Sequence, residues 1–136
     1  MATYTKFQQF VEDLAEGVHN LGSDAITVAL SNAANAPSAS ADAVLGDITT
    51  VSTANLDDVT PTVSSSSQTS GTYKLVLADL TMTASGAVGP FRYVILYNDT
   101  AANDPLICYW DYGSEVTLAS GDTFKLDFGT ELFSLA

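Results

Sequence analysis

Cysteine, histidine, positive charge and long apolar runs are all scarce in this sequence, and each scarcity removes a class of function. The 136 residues include one cysteine, one histidine and four basic residues (Lys6, Lys74, Arg92, Lys125). The lone Cys108 leaves no internal disulfide and no multi-cysteine metal site. It stands in the apolar run Leu106-Ile107-Cys108, where a packed core thiol is expected. Any Ser-His-Asp or Cys-His catalytic group would have to use His19, yet no Gly-x-Ser-x-Gly elbow accompanies it. His19 is therefore expected at a helix end or on the surface. No glycine-rich loop with a following lysine is present to cradle phosphate. Zinc lacks ligands, and the acidic groupings Asp57-Asp58, Asp99 with Asp104, and Asp122 with Asp127 lack calcium-loop spacing. They read as turn aspartates bonding their own backbone, with a weak calcium site left open only in the loop 99–104. No catalytic, cofactor-binding or metal-ligating residue is nominated, and an enzyme is not expected.

No window approaches 18 consecutive apolar residues, so no transmembrane helix is expected. The start, Met1-Ala2-Thr3-Tyr4-Thr5-Lys6, lacks a charged segment followed by an apolar one, so synthesis and folding in a cytoplasm are expected. Sixteen acidic residues against the four basic ones give a net charge of −12. Such a chain cannot neutralise a phosphate backbone and is repelled by an anionic bilayer, which argues against nucleic acid and membrane as partners. Two uses of the charge remain, and they are compatible: solubility through self-repulsion, and a partner with a basic docking face.

What the sequence does have is enough apolar residue for one core. A chain of this mass should expose about 6,800 Å² when folded, about a third of its unfolded surface. A single domain over 1–136 is expected. Phe7, Phe10, Val11, Leu14, Val18 and Leu21 recur at intervals of three and four, which predicts a helix over 5–16, capped by Thr5 and ended by Gly17 or Gly22. Beyond it the period becomes two. Strands are expected at 25–30, 44–51, 73–84 (with a bulge or bend near Ala78-Asp79), 91–98, 106–112, 115–118, 123–128 and 131–135. Residues 31–43 and the Ser-rich 64–71 read as loops, and Gly113-Ser114 as a turn. Eight or nine short strands at regular spacing, with one short N-terminal helix, predict a mostly β fold: a single antiparallel β-sandwich of jelly-roll or immunoglobulin-like type.

Two groups of side chains stand out. Phe91, Tyr93, Tyr97, Tyr109, Trp110 and Tyr112 fall within one hairpin, whose strands are joined by the turn chemistry of 99–105. Some of these rings belong to the core, and the others would face a protein partner or a sugar. Phe7, Phe10, Tyr97, Tyr109, Trp110 and Tyr112 are the candidate interface residues. The second group is the sole arginine. If Asn98 lies opposite Pro105, Arg92 falls opposite Asp111, and the two are expected to form a structural cross-strand ion pair.

The order of several segments is also familiar: FVEDLA (10–15), DAITVAL (24–30), VLGDI (44–48), GTYKL (71–75), GPFRY (89–93) and above all RYVILYNDTAANDPLICYWDYG (92–113). In this order the chain resembles small virion structural proteins of tailed bacteriophages and prophages over nearly its whole length. That resemblance implies a non-enzymatic virion protein made in the host bacterial cytoplasm, with no cofactor. Its most direct reading is a capsid decoration (cement) protein on the capsid exterior, bound to the major capsid protein as a homo-oligomer, dimer or trimer. The alternatives are a tail or head–tail appendage protein and, from a different class, a carbohydrate-binding module.

Overall fold

The alternation that runs through the second half of the chain has its structural counterpart in a set of paired strands. A computed structural model describes residues 2–136. In order, the elements are β1 (Thr3–Lys6), α1 (Gln8–Ala15), β2 (Ile26–Ser31), β3 (Val63–Thr69), β4 (Thr72–Leu77), β5 (Leu80–Thr83), β6 (Val88–Asn98), β7 (Leu106–Leu118), β8 (Thr123–Leu126) and β9 (Phe133–Leu135), with short 3-10 turns at Ala33–Asn35 and Leu45–Asp47. The fold is mostly β and antiparallel, with one short helix, as expected. The strands form three sheets instead of two, in the orders β1-β7-β6-β2, β3-β4-β9 and β5-β8.

One core joins them. Phe7, Phe10, Ile26, Leu30, Leu75, Met82, Phe91, Ile95, Leu96, Leu106 and Ile107 are all essentially inaccessible and belong to a single cluster. All six residues of β2 are buried, so both faces of the large sheet are covered there. The exposed area of 6778 Å² equals what one folded domain of this mass should show.

Several expectations need correction. The helix begins at Gln8 and not at residue 5, because Thr3–Lys6 is extended and pairs with β7 from Thr3↔Asp111 to Lys6↔Cys108. Thr5 thus lies inside a strand and caps nothing. The cap position is Phe7, whose side chain cannot accept a hydrogen bond; instead the Gln8 N–H donates to the Ala39 carbonyl at 2.9 Å. Gly17 ends the helix with φ +79°, and the Val18 N–H reaches back to the Asp13 carbonyl at 2.8 Å, a Schellman closure. Residues 44–51 form no strand, only the 3-10 turn and single bridges, Val44↔Pro105 and Leu30↔Val51. Gly113-Ser114 is not a turn either: β7 runs through it.

The Ser-rich stretch is the largest correction. Most of 64–71 is strand β3, joined to β4 by the two-residue turn Ser70-Gly71, both with positive φ (52° and 83°). Two such residues specify a type I′ turn, whose twist matches a tight hairpin. The expected break near Ala78-Asp79 is real, since the chain leaves β4 at Leu77 and enters β5, in another sheet, at Leu80.

His19 follows the helix, but it is buried (6% exposed) and not on the surface. Its Nδ1 lies 3.1 Å from the Asn98 amide nitrogen, which also donates to Asp24 at 2.7 Å. Because that nitrogen is a donor, Nδ1 must accept, and the proton of the neutral ring sits on Nε2. Burial pushes the His19 pKa below its usual value, against the opposing pull of Asp13 and Asp24.

Two outcomes follow from this packing. Phe10→Ala removes a ring set 5.3 Å from Phe133 and 5.0 Å from His19; it should cost about 3–5 kcal/mol of stability, read from urea unfolding midpoints. A histidine whose folded pKa is depressed holds fewer protons than the unfolded chain below pH ~6.5. Its contribution is intact above that pH and is lost as pH falls toward the folded pKa. His19→Gln, which keeps an acceptor for Asn98, should lose less stability than the unaltered chain between pH 7.5 and 5.5 when both are unfolded in urea.

Candidate binding surface

The central hairpin decides which aromatic rings are available. Tyr97 pairs with Leu106, but from Leu96↔Cys108 onward the register is displaced by one residue. Ile107 is therefore an extra residue in β7, a β-bulge, and it exchanges the faces of everything after it. Asp111 lies opposite Tyr93 and not opposite Arg92. The ion pair exists nonetheless: Arg92 donates from Nε to Asp111 Oδ1 at 2.8 Å and from Nη2 to Oδ2 at 3.1 Å. Arg92 can reach because a second irregularity follows, in which Arg92 alone on β6 faces Tyr112, Gly113, Ser114 and Glu115 on β7, between the pairs Tyr93↔Asp111 and Phe91↔Val116. Asp111 Oδ1 also accepts the Gly113 N–H at 2.8 Å, so one carboxylate clamps both sides of the bulge. The guanidinium first, and the Gly113 N–H second, hold the Asp111 carboxyl below the usual carboxylate range.

After the shift, Val94, Cys108 and Trp110 share one face with Tyr4 of β1. Trp110 packs edge-on against Tyr4 (5.5 Å) and tilted against Phe128 (5.7 Å), while Tyr112 lies 5.4 Å from Phe124. A cleft of about 190 Å³ opens here, walled by Val94, Trp110, Tyr112, Phe124 and Phe128, with Lys125 and Asp127 also lining it. Tyr112 is 43% exposed and Tyr4 39%. Burial, and after it the neighbouring Cys108 thiol, pushes the Tyr4 phenol well above its usual pKa. The same burial pushes the Cys108 thiol up, which makes it an inert core group.

Of the six candidate interface residues, Trp110 and Tyr112 line this cleft. Tyr97 and Tyr109 are half-buried elsewhere on the hairpin, Tyr109 turned to the opposite face against Phe7 (5.1 Å). Phe7 and Phe10 are core residues, 0% and 1% exposed, and are withdrawn as interface candidates. The large apolar residues that the helix segment does expose are Val11 and Val18. Phe124 and the largely buried Phe128 line the cleft, and Tyr4 packs beside it on Trp110; none of the three was among the candidates. The alternation Thr3-Tyr4-Thr5 is the only signal for Tyr4, and it is too short to mark a strand just ahead of a helix expected from residue 5.

Nothing at the cleft carries a reactive set. Among the described residues no three His, Cys, Asp or Glu side chains cluster as a metal site, and no helix is long and apolar enough to cross a membrane. Lys125 pairs with Asp79 (3.6 Å) and Lys74 with Glu131 (3.1 Å). With Arg92 on Asp111, three of the four lysine and arginine side chains are engaged, and among the described residues most carboxylates have no cation of their own. Comparison with protein-family models, curated proteins and solved structures finds no match.

The clamp has a direct readout. Asp111→Ala frees Arg92 and the Gly113 N–H together. Amide hydrogen exchange at 112–115 should speed up about tenfold or more, while exchange at Ile95 and Leu96 stays at its original rate.

Proposed function

We propose that this chain is a non-enzymatic structural protein of a tailed-phage particle, a capsid decoration protein that binds the outside of the major capsid lattice. The observation that carries the reading is an acidic β domain with a small, partly exposed aromatic cleft in which no reactive set of side chains is gathered. The resemblance in segment order to small virion proteins supports it. The cleft lies below the 300–1,000 Å³ usual for small-molecule sites. It suits one or two inserted side chains better than a cofactor, and an aromatic pocket of this kind is the usual anchor of a protein contact. The uncompensated carboxylates suit a basic docking face, which raises the rate of encounter more than the final affinity. On a lattice, each weak contact after the first is effectively intramolecular, so modest contacts suffice.

A tail or head–tail appendage protein would use the same features at lower copy number: about six to a few tens per particle, against hundreds for decoration. A carbohydrate-binding module is the second class of reading, favoured by the partly exposed indole of Trp110 beside Tyr112. Its discriminating test is a glycan array with Trp110→Ala as the control.

Particles lacking the protein should still assemble and should rupture at lower temperature or at low ionic strength. Adding back the purified chain should restore them, and Tyr112→Ala should lower occupancy at least several-fold without unfolding the domain. Electron microscopy and densitometry of purified particles read both effects. Rupture unchanged by loss of the protein refutes the decoration role.

A further inference from the structure

The sheet β3-β4-β9 has an open side. β3 pairs only with β4, so its outer edge has no strand against it among the described residues. Edge strands usually carry a device that prevents pairing with another chain: shortness, a lysine, a proline, a bulge or a covering loop. The other edges here have one. β1 spans four residues and ends in Lys6, β8 spans four with Lys125 inside it, and β9 has three. The β2 edge is taken up by Val28 N–H to Val59 O and Val51 N–H to Leu30 O, and Thr83 on β5 bonds Asp57. β3 spans seven residues, and its one irregularity lies at its start, between Val63 and Ser65. From Ser65 to Thr69 it is regular, and no charged residue occurs between Asp58 and Lys74.

The turn fixes which backbone groups are open. Across the two-residue Ser70-Gly71 turn, Thr69 and Thr72 form the closing hydrogen-bonded pair. Alternate residues of an antiparallel strand bond to opposite sides. Thr69, Ser67 and Ser65 therefore turn their backbone N–H and C=O toward β4, and Gln68 and Ser66 turn theirs outward. The side chains of Ser65, Ser67 and Thr69 lie on the solvent face of the sheet with Thr72, Lys74 and Val76. Ser66 and Gln68 lie on the other face, where Ser66 Oγ meets the Tyr73 hydroxyl at 2.7 Å.

We propose that the β3 edge is a self-association site, at which a second copy of this chain adds its own β3 antiparallel about a two-fold axis through Ser67. In that register Ser66 of each copy faces Gln68 of the other, the two residues whose backbone groups point outward. Four N–H···O=C bonds form, and the sheet continues as β9-β4-β3 followed by the same three strands of the second copy. A two-fold contact must be self-complementary, and this one is. The self-complementary register selects a second copy as the occupant, and charge selects where the two copies can meet. Two bodies of net charge −12 repel over most of their surface, and this uncharged edge is where they can approach without setting carboxylates against each other. Lys74, the nearest cation, is already neutralised by Glu131 at 3.1 Å. The inference goes beyond the decoration reading and stands without it, because it concerns the purified chain alone.

The test uses the full chain in solution. Sedimentation equilibrium from micromolar to millimolar should show monomer and dimer in exchange. Ser67→Lys sets two ammonium groups against each other at the axis, beside Lys74, on an exposed position. It should weaken the dimer at least about tenfold while leaving the thermal midpoint of the diluted monomer nearly unchanged. Ser67→Cys places two thiols within disulfide reach across the axis and should cross-link under mild oxidation. Thr72→Cys, on the same face but one strand further in, should not, and the native Cys108 is buried. A dimer that Ser67→Lys leaves intact overturns the proposal by placing the contact elsewhere. So does Ser67→Cys linking no faster than Thr72→Cys. Faster linking by Ser67→Cys supports the proposal even where the unlinked dimer is too weak to sediment.

Discussion

One extra residue in the longest strand governs how this molecule presents itself. Without Ile107 as a bulge, the hairpin of β6 and β7 would keep the register of its turn, and Trp110 would share a face with Tyr93. With it, Trp110 shares a face with Val94 and meets Tyr4 and Phe128, while Tyr109 turns away to Phe7. A period of two leaves no intermediate arrangement, so a displacement of one exchanges the faces completely. The bulge sits in packed surroundings: Leu106, Ile107 and Cys108 are all fully buried, so both faces of the strand are covered there. Both surfaces of the hairpin are therefore occupied near the turn, and the aromatic cleft forms where that covering ends.

The turn end of the hairpin is held by a single buried amide. Asn98 accepts the Thr100 and Ala101 N–H groups through its carbonyl and offers its nitrogen to Asp24 and His19. All of its hydrogen-bonding capacity is spent on the loop after β6 and on the segment between α1 and β2. A buried side-chain amide is costly unless satisfied in this way. That requirement ties the N-terminal third of the chain to the central hairpin more specifically than apolar contact does. The price is one ring, His19, kept neutral inside the fold.

The strands with a core face were legible in the sequence, because burial imposes alternation: Ile26, Val28 and Leu30, then Val94 and Leu96, show it plainly. Elements whose order comes from backbone pairing alone were not. β3 is a strand because β4 needs a partner and Ser70-Gly71 is a tight turn, yet its side chains are serines that no hydropathy pattern distinguishes from a linker. Thr5 and Lys6 read as the start of a helix because Phe7, Phe10 and Val11 carry a helical period, and Tyr4, three residues before Phe7, fits that period as well as it fits a strand's alternation. Residues 44–51 have strand-like Leu45 and Ile48, but Asp47 accepts the Ala43 and Val44 N–H groups and winds the segment into a turn. The aromatic cleft was half legible. Trp110 and Tyr112 come from one strand, whereas Phe124 and Phe128 reach it only through the packing of another sheet, and the face that Trp110 takes depends on a bulge that sequence spacing does not mark. The Arg92–Asp111 pair could be anticipated, but the reason for it differs: the guanidinium spans an irregularity and does not lie straight across a regular ladder.

The surface divides by chemistry into three parts, and that division explains how a molecule this acidic could work at close quarters. Like charge at a net −12 resists crowding, which keeps most faces of free copies apart. Screening shortens that repulsion to about 8 Å at physiological ionic strength, so it governs approach and not contact. The two contacts proposed above lie where charge is spent or missing: the aromatic cleft, whose lysine already has an acidic partner, and the neutral edge of β3. The cleft is built from side chains and can select a partner by shape. The edge is built from backbone and can select only by register and by the absence of opposing charge. A surface of the second kind binds weakly, since four backbone hydrogen bonds exchanged for four with water yield little net free energy. Such a contact matters only between copies already held near one another. The two regions are therefore complementary in a physical sense, one able to bring the chain to a partner and the other able to join neighbours once they have arrived.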